Sequence, residues 1–416
     1  MMQILFVHQN FPGQYRYLVQ YYSQQPEWDV YAIGEKDCVK RQLHLIPKGI
    51  TVLGYDMPKV AKGNIPHNIK YTVDHTVRAD ALAAVLCRQK KKGLNPSVIL
   101  AHPGWGEGLY LREIFPSAKL IYFFEYYFST VKYNINFDPE FPSGLAQQLH
   151  YRLNNATNLV SLDVADIGVS PTYWQQSTYP KEYHSKIRVI HDGVNTQLVK
   201  PRLAKSVTFK NSSHGELTLR HTDEMITYSV RNLEPSRGFH RYMRALPRLQ
   251  ALRPNARFVI VGGDEKSYSD KHPSGKSWRE VMLDEVGQQL DMERVIFTGK
   301  IPYQHLLDLF SLTAIHIYFT TPFVLSWSLM EAMACEATVL ASSTEPVIEV
   351  IKEGENGFLF DFFDEDELVA QVEKLMGSPE LRSSIGKAAR DTIVKQYDLQ
   401  NCCLFKHTEL VEEKLQ

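Results

Sequence analysis

The chain has 416 residues, enough for two domains that each bury a full core. Hydrophobic residues (44%) and charged residues (22%) stand in globular proportion, which excludes wholesale disorder. Lysine plus arginine total 46 and aspartate plus glutamate 47, a net charge of -1, and that balance excludes a protein held to nucleic acid by bulk charge.

From the N-terminus, Gln3 to His8 is a continuous apolar run, as a strand buried on both faces requires. It is too short, and lacks the basic flank, for a signal peptide, and no run approaches the ~20 apolar residues of a membrane span. After the Pro12-Gly13 turn, Gln14 to Ser23 reads as helix and Asp29 to Gly34 as strand. Thr76 to Lys92 is helical in composition, and its end, Arg88 to Lys92 (RQKKK), is expected to be solvated. Val98 to Ala101, Leu120 to Phe124 and Ile167 to Val169 are further strands. Alternating strands and helices imply a parallel, doubly wound sheet. The pattern restarts after a polar stretch, Arg202 to Glu224, expected to be a loop or hairpin. Strands are expected at Ile226 to Val230, Phe258 to Val261, Val295 to Thr298, Ile315 to Tyr318 and Thr338 to Ala341. Helices are expected at Phe239 to Arg253, Trp278 to Leu290, Leu325 to Ala334, Asp366 to Met376 and Glu380 to Tyr397. The expected division is 1–185, 186–395 and a helical tail, 396–416. The five cysteines (Cys38, Cys87, Cys335, Cys402, Cys403) include no CxxC and have no metal-like spacing, so a reduced, cytoplasmic chain is expected.

Five segments lie at or just after the ends of strands, where open α/β sheets bind ligands. In HQNFPGQ (His8 to Gln14), Gly13 would let backbone amides approach an anion. In AHPGWGEG (Ala101 to Gly108), His102 could contact a sugar or move a proton; the plainer reading is a tight glycine loop with Trp105 over the core. In FFEYYF (Phe123 to Phe128), Glu125 is either desolvated and tuned or turned outward. RNLEPSRG (Arg231 to Gly238) places the permanent cations Arg231 and Arg237 where they can clamp a diphosphate. Arg241, Arg244 and Arg248 continue Arg237 at helical spacing and are expected to be a solvated face. In PFVLSWSLMEAMACEATVLAS (Pro322 to Ser342), the Val324 to Ser326 amides would face an anion or sugar and Glu331 would accept ribose hydroxyls. Ser328 and Glu331 are also spaced as a capping box, so Glu331 could serve only the helix. Asp364-Glu365-Asp366 opens a helix, where acidic residues suit the macrodipole better than a metal.

In sum, VIHDGVN (Val189 to Asn195), RNLEPSRG, FTGKIPY (Phe297 to Tyr303), EAMA (Glu331 to Ala334), PVIEVI (Pro346 to Ile351) and GENGFLF (Gly354 to Phe360) stand in an order that resembles the retaining glycosyltransferases of family 4. HQNFPGQ, HPGWGE and PFVLSWS look like a bacterial branch of that family. The resemblance covers nearly the whole chain. It implies an α/β fold of two facing Rossmann-like domains of the glycogen-phosphorylase type (GT-B), with the tail helix crossing back to the first. It implies a nucleotide-diphosphate sugar donor on the second domain and a glycan or lipid-linked acceptor on the first, in cell-surface polysaccharide or glycolipid synthesis. Arg231 and Arg237 would hold the diphosphate, Glu331 the ribose, and Phe323, Val324, Leu325 and Ser326 the donor sugar and phosphate, with Gly13 near the diphosphate. His102 and Glu125 would join Arg231 and Arg237 in catalysis. No metal and no cofactor are implied, since the nucleotide sugar is a substrate. A lipid-linked acceptor would draw this cytoplasmic protein into peripheral contact with the inner face of a membrane.

The chain departs from the family in three places. Phe323 stands where a first glutamate is usual, the cation pair is six apart rather than five, and Glu125 stands where many members carry histidine. The missing glutamate supports a second reading, a non-catalytic sugar-nucleotide-binding protein. A third is an epimerase of the same fold acting on UDP-N-acetylglucosamine.

Overall fold

The computed structural model describes residues 1–58, 65–203, 206–211, 215–220 and 222–413. The chain divides into two units, Met1–Asp192 with Gln400–Gln416, and Gly193–Leu399.

The first unit is built on seven strands: β1 (Met2–Val7), β2 (Trp28–Glu35), β3 (Thr51–Tyr55), β4 (Val98–Ala101), β5 (Lys119–Phe123), β6 (Ile167–Ser170) and β7 (Ile187–Val189). Their spatial order is β3-β2-β1-β4-β5-β6-β7, and every pair is parallel. The apolar run of β1 serves both faces. Leu5 and Val7 pack with Leu82 and Leu86, while Ile4 and Phe6 pack with Tyr15, Leu18 and Tyr22. The C-terminal segment closes the second of these layers. The helix Phe405–Glu412 puts Leu410 and Val411 beside Ile4 and Phe6, and Lys119 Nζ donates to the Leu410 carbonyl at 2.7 Å.

The second unit opens with an antiparallel hairpin, β8 (Ser206–Asn211) and β9 (Gly215–Arg220). Then come β10 (Met225–Asn232), β11 (Arg257–Gly263), β12 (Val295–Gly299), β13 (Ile315–Tyr318), β14 (Val339–Ser342) and β15 (Phe358–Phe360). They form a parallel sheet in the order β12-β11-β10-β13-β14-β15. Val207, Phe209 and Leu219 of the hairpin share a core with Val259 and Val261 of β11.

Each sheet reverses its winding beside its first strand: β1 lies between β2 and β4, and β10 between β11 and β13. Loops leaving such neighbours diverge, and the crevice at their carboxyl ends is where open α/β sheets take ligands. HQNFPGQ and HPGWGE flank the first crevice. RNLEPSRG and PFVLSWS flank the second. No helix among the described residues is long and apolar enough to cross a membrane.

Several elements differ from expectation. β3 and β7 are short strands that carry no clear periodic signal. The helix Leu145–Val164 also escapes sequence reading, because its apolar side chains do not mark its buried face. Arg241, Arg244 and Arg248 are not simply solvated. They pair with Glu365, Glu285 and Asp366, while Asp364 caps the next helix by accepting from Glu367 N at 2.9 Å.

Candidate active site

In the second unit, β10 ends at Arg231 and Asn232, and a 3-10 turn, Pro235–Arg237, leads into the helix Phe239–Leu252. The two cations are unequal. Arg231 is exposed. Arg237 is buried, and its Nη1 donates to Thr320 Oγ1 at 2.7 Å and to the Val324 carbonyl at 3.0 Å. Its guanidinium lies 5.3 Å from the Tyr268 ring centre and 5.8 Å from that of Phe323. Arg237 is thus oriented before any ligand arrives, and a planar cation held this way presents a fixed edge to an anion.

Glu234 explains why Tyr268 is there. Its buried carboxylate accepts from the backbone amides of Ser267 (3.3 Å), Tyr268 (3.0 Å) and Ser269 (2.9 Å). Burial raises its pKa, and those amides oppose the rise. Nothing in the string RNLEPSRG distinguishes Glu234 from a surface carboxylate. Two buried hydroxyls in this region, Ser236 Oγ and Thr321 Oγ1, have no hydrogen-bond partner among the described residues. They belong to adjacent turns, since Thr321 N donates to the Ser236 carbonyl at 3.0 Å. Unpaired buried donors are costly, and an anion or sugar oxygen would satisfy them.

The helix after β13 runs Trp327–Ala334, shorter than the expected Leu325 start. Ser326 is its N-cap, its Oγ accepting from Ser328 N at 3.3 Å. The capping-box alternative for Ser328 and Glu331 is therefore overturned. Glu331 is buried and accepts from the Tyr303 hydroxyl at 2.6 Å instead. Burial pushes its carboxyl up to about 7, against the pull of the Tyr303 hydrogen bond. Phe323 and Val324 are half-buried, and Phe323 lies 5.0 Å from the Tyr268 ring. Leu325 packs in the core with Tyr318, Leu329 and Met330, so a ligand would meet its backbone rather than its side chain.

In the first unit, His8, Gly13, Gln14, His102 and Glu125 come together at the ends of β1, β4 and β5. His8 Nδ1 accepts from Asn10 N at 2.9 Å, which leaves the hydrogen on Nε2, 2.7 Å from Gln14 Oε1. Gln14 Nε2 in turn donates to Glu125 Oε1 at 3.3 Å. His102 Nδ1 accepts from Gly104 N at 3.2 Å. Its Nε2 has no hydrogen-bond partner among the described residues and lies 3.7 Å from Glu125 Oε2. Burial, then the neighbouring His102, hold His8 down at about 3, so it is neutral at any ordinary pH. Glu125, one third exposed, accepts from Gln14 and faces His102 Nε2 across 3.7 Å. Trp105 does not merely cover the core, since its ring stacks on His102 with centroids 4.3 Å apart. Gly13 sits against His8, where a Cβ would fall 2.4 Å from the ring.

A second network braces these loops from below. Arg78 Nη1 donates to the Trp105 carbonyl at 3.1 Å, and Arg78 lies 3.5 Å from Glu107 and 3.7 Å from Glu35. Tyr55 donates to Glu107 at 2.6 Å and Gln9 to Glu35 at 3.1 Å, so the ends of β1 to β4 share one ion cluster. Gly106 closes against it, with φ +104° and space for a Cβ only 2.3 Å from the His75 carbonyl oxygen. Gly106→Ala is expected to destabilise the first unit by roughly 2–4 kcal/mol, from strained φ plus overpacking on backbone. Chemical denaturation measures this, and an unchanged midpoint would show that the loop relaxes freely.

Residues 26–199 match the model of the glycosyl transferase family 4 group, and residues 213–392 match that of glycosyl transferases group 1. The first unit is thus similar to a family 4-type glycosyltransferase domain and the second to a group 1 domain, and the two-domain fold is that of the GT-B type. Solved structures share the fold. Sucrose-phosphate synthase from Thermosynechococcus elongatus superposes with a TM-score of 0.69 at 17% identity, covering 99% of this chain and 98% of that one. Anabaena HepE in complex with UDP and glucose gives 0.67 at 16% identity, covering 99% of each. The putative glycosyltransferase EpsD of Bacillus subtilis is 23% identical over 203 residues, 49% of either chain. The chain spans about half, or less, of the length of the curated relatives it matches.

Proposed function

We propose that the chain is a retaining glycosyltransferase that moves a sugar from a nucleotide-diphosphate sugar to a hydroxyl of a glycan or lipid-linked acceptor, in cell-surface polysaccharide or glycolipid synthesis of a bacterial type. The observation that carries this reading is Arg237, buried and pre-oriented beside the unpaired hydroxyls of Ser236 and Thr321. A departing diphosphate needs fixed positive potential that does not have to reorganise as charge grows. Arg237, the exposed Arg231 and the amides that open the helices at Phe239 and Trp327 supply it, so the reading requires no metal and no cofactor. Glu331 takes the ribose hydroxyls. The Phe323 to Ser326 loop takes the sugar and its phosphate.

The C1–O bond to the diphosphate breaks, the acceptor oxygen bonds to C1 on the same face, and the acceptor's proton passes to the departing phosphate. In the first unit, Glu125 and the Nε2–H of His102 are the groups proposed to orient the acceptor hydroxyl. Calorimetric titration with UDP, GDP, ADP and their sugar conjugates, with and without EDTA, tests the reading. UDP-glucose comes first, because the similar Anabaena structure holds UDP and glucose. Saturable binding of one nucleotide family, unchanged by EDTA and followed by transfer with retained anomeric configuration, is expected. Binding without turnover on any acceptor would favour the non-catalytic alternative, and binding of none would sink the donor site.

A further inference from the structure

In the second unit, the side chains that continue from Arg237 are apolar. Between Thr321 and Ser326 the loop reads Pro322, Phe323, Val324, Leu325, and none of these side chains can form a hydrogen bond. Polar groups at its two ends are already engaged. Thr320 Oγ1 accepts from Arg237 at 2.7 Å and donates to the Thr321 carbonyl at 2.9 Å. Ser326 N donates to the Tyr318 hydroxyl at 2.9 Å, and Ser326 Oγ accepts from Ser328 N at 3.3 Å. The two open hydroxyls, of Ser236 and Thr321, stand before this stretch, on the joined turns beside Arg237.

Two rings border the cation. Tyr268 is 47% exposed and is held in place through its amide by Glu234, while Phe323 is half-buried. The Arg237 guanidinium packs on both, 5.3 Å from one ring centre and 5.8 Å from the other. In a nucleotide sugar a single oxygen joins the sugar to the distal phosphate, so a cation that holds that phosphate has the sugar as its neighbour. A sugar hydroxyl set against these ring faces loses water and finds no partner, whereas a methyl group gains apolar burial. The ring centres are 5.0 Å apart and the rings are tilted by 59°, an angled surface that suits a small apolar group better than the flat face of a pyranose. With the donor site proposed above as the premise, we infer that Phe323 and Tyr268 select a donor sugar with a methyl-terminated group where a simple hexose ends in a hydroxyl. A 6-deoxyhexose and a 2-acetamido hexose are the two sources of such a group.

Calorimetric titration tests this. UDP, GDP and ADP are titrated first, and the one that binds the parent sets the series. For UDP the series is UDP-glucose, UDP-N-acetylglucosamine and UDP-6-deoxyglucose, and the same three sugars serve another nucleotide. One methyl-bearing conjugate is expected to bind at least about tenfold more tightly than the glucose conjugate, and which one it is identifies the source. Phe323→Leu keeps an apolar side chain and is expected to keep most of the preference. Phe323→Gln is polar and uncharged, and is expected to bring the conjugates within about threefold of each other. Each preference is a ratio of two affinities on one protein, so a general loss of affinity or stability in a variant cancels. A parent that binds the glucose conjugate as tightly as the others would overturn the inference. So would a Phe323→Gln protein that keeps the full preference, or a Phe323→Leu protein that loses it as completely. In all three cases nucleotide binding itself stands. If no nucleoside diphosphate binds the parent, the donor site falls and the inference falls with it, so the two failures read differently.

Discussion

Replacing Arg237 with alanine is expected to weaken nucleotide-sugar binding by about a hundredfold or more, the usual cost of truncating a buried, hydrogen-bonded charge at an interface. The change removes a cation and also the donors to Thr320 and Val324 that fix the loop on either side of Phe323. Arg237→Lys keeps the charge but loses the planar fork, and should recover only part of the affinity. Arg231→Ala makes the contrast. Its side chain is exposed, so it should cost only a few-fold in affinity and little stability. Calorimetry with the nucleotide that binds the parent separates the four proteins. If Arg237→Ala binds as the parent does, while its melting point falls, the residue is a brace for the Tyr268 and Phe323 loops and the phosphate site lies elsewhere.

Glu331→Gln is expected to move stability and binding in opposite directions. The carboxyl titrates at about 7 in the folded protein, against 4.5 as the ordinary value. Between those values the folded state keeps a proton that the unfolded chain has lost. Stability therefore falls as pH rises through that window, by at most about 3 kcal/mol. Glutamine cannot ionise, so the variant should lose this slope and melt above the parent at pH about 8. Ribose hydroxyls donate to the ionised carboxylate, so the parent's nucleotide affinity should rise through neutral pH. The variant should bind about tenfold more weakly at pH about 8, without the rise. Thermal melts and titrations at two pH values read both effects. A variant that binds as tightly as the parent at both pH values would return Glu331 to a purely structural partner of Tyr303.

Much of both sheets was legible because buried parallel strands are continuous apolar runs, as in Ile4 to Val7 and Phe258 to Val261. The candidate site loops stood out because arginine and histidine follow such runs, beside turn glycines that also have a plain structural reading. What escaped reading had no such contrast. β3 and β7 are short, and the helix Leu145–Val164 hides polar side chains that only the loop at Tyr126 and Phe128 makes sense of.

The sequence by itself determined the two α/β halves, the loops that flank each crevice and the residue types available for holding a diphosphate. Those properties follow from local periodicity and composition, which act over a few residues. Only the tertiary structure decided which side chain does what. It separated buried Arg237 from exposed Arg231, gave Glu331 to Tyr303 rather than to a helix cap, joined His8, Gln14 and Glu125 in one chain of hydrogen bonds, and recruited Glu234 and Arg78 as braces. Each of these depends on partners dozens of residues away, and burial and hydrogen bonding are set by that long-range packing rather than by neighbours in sequence.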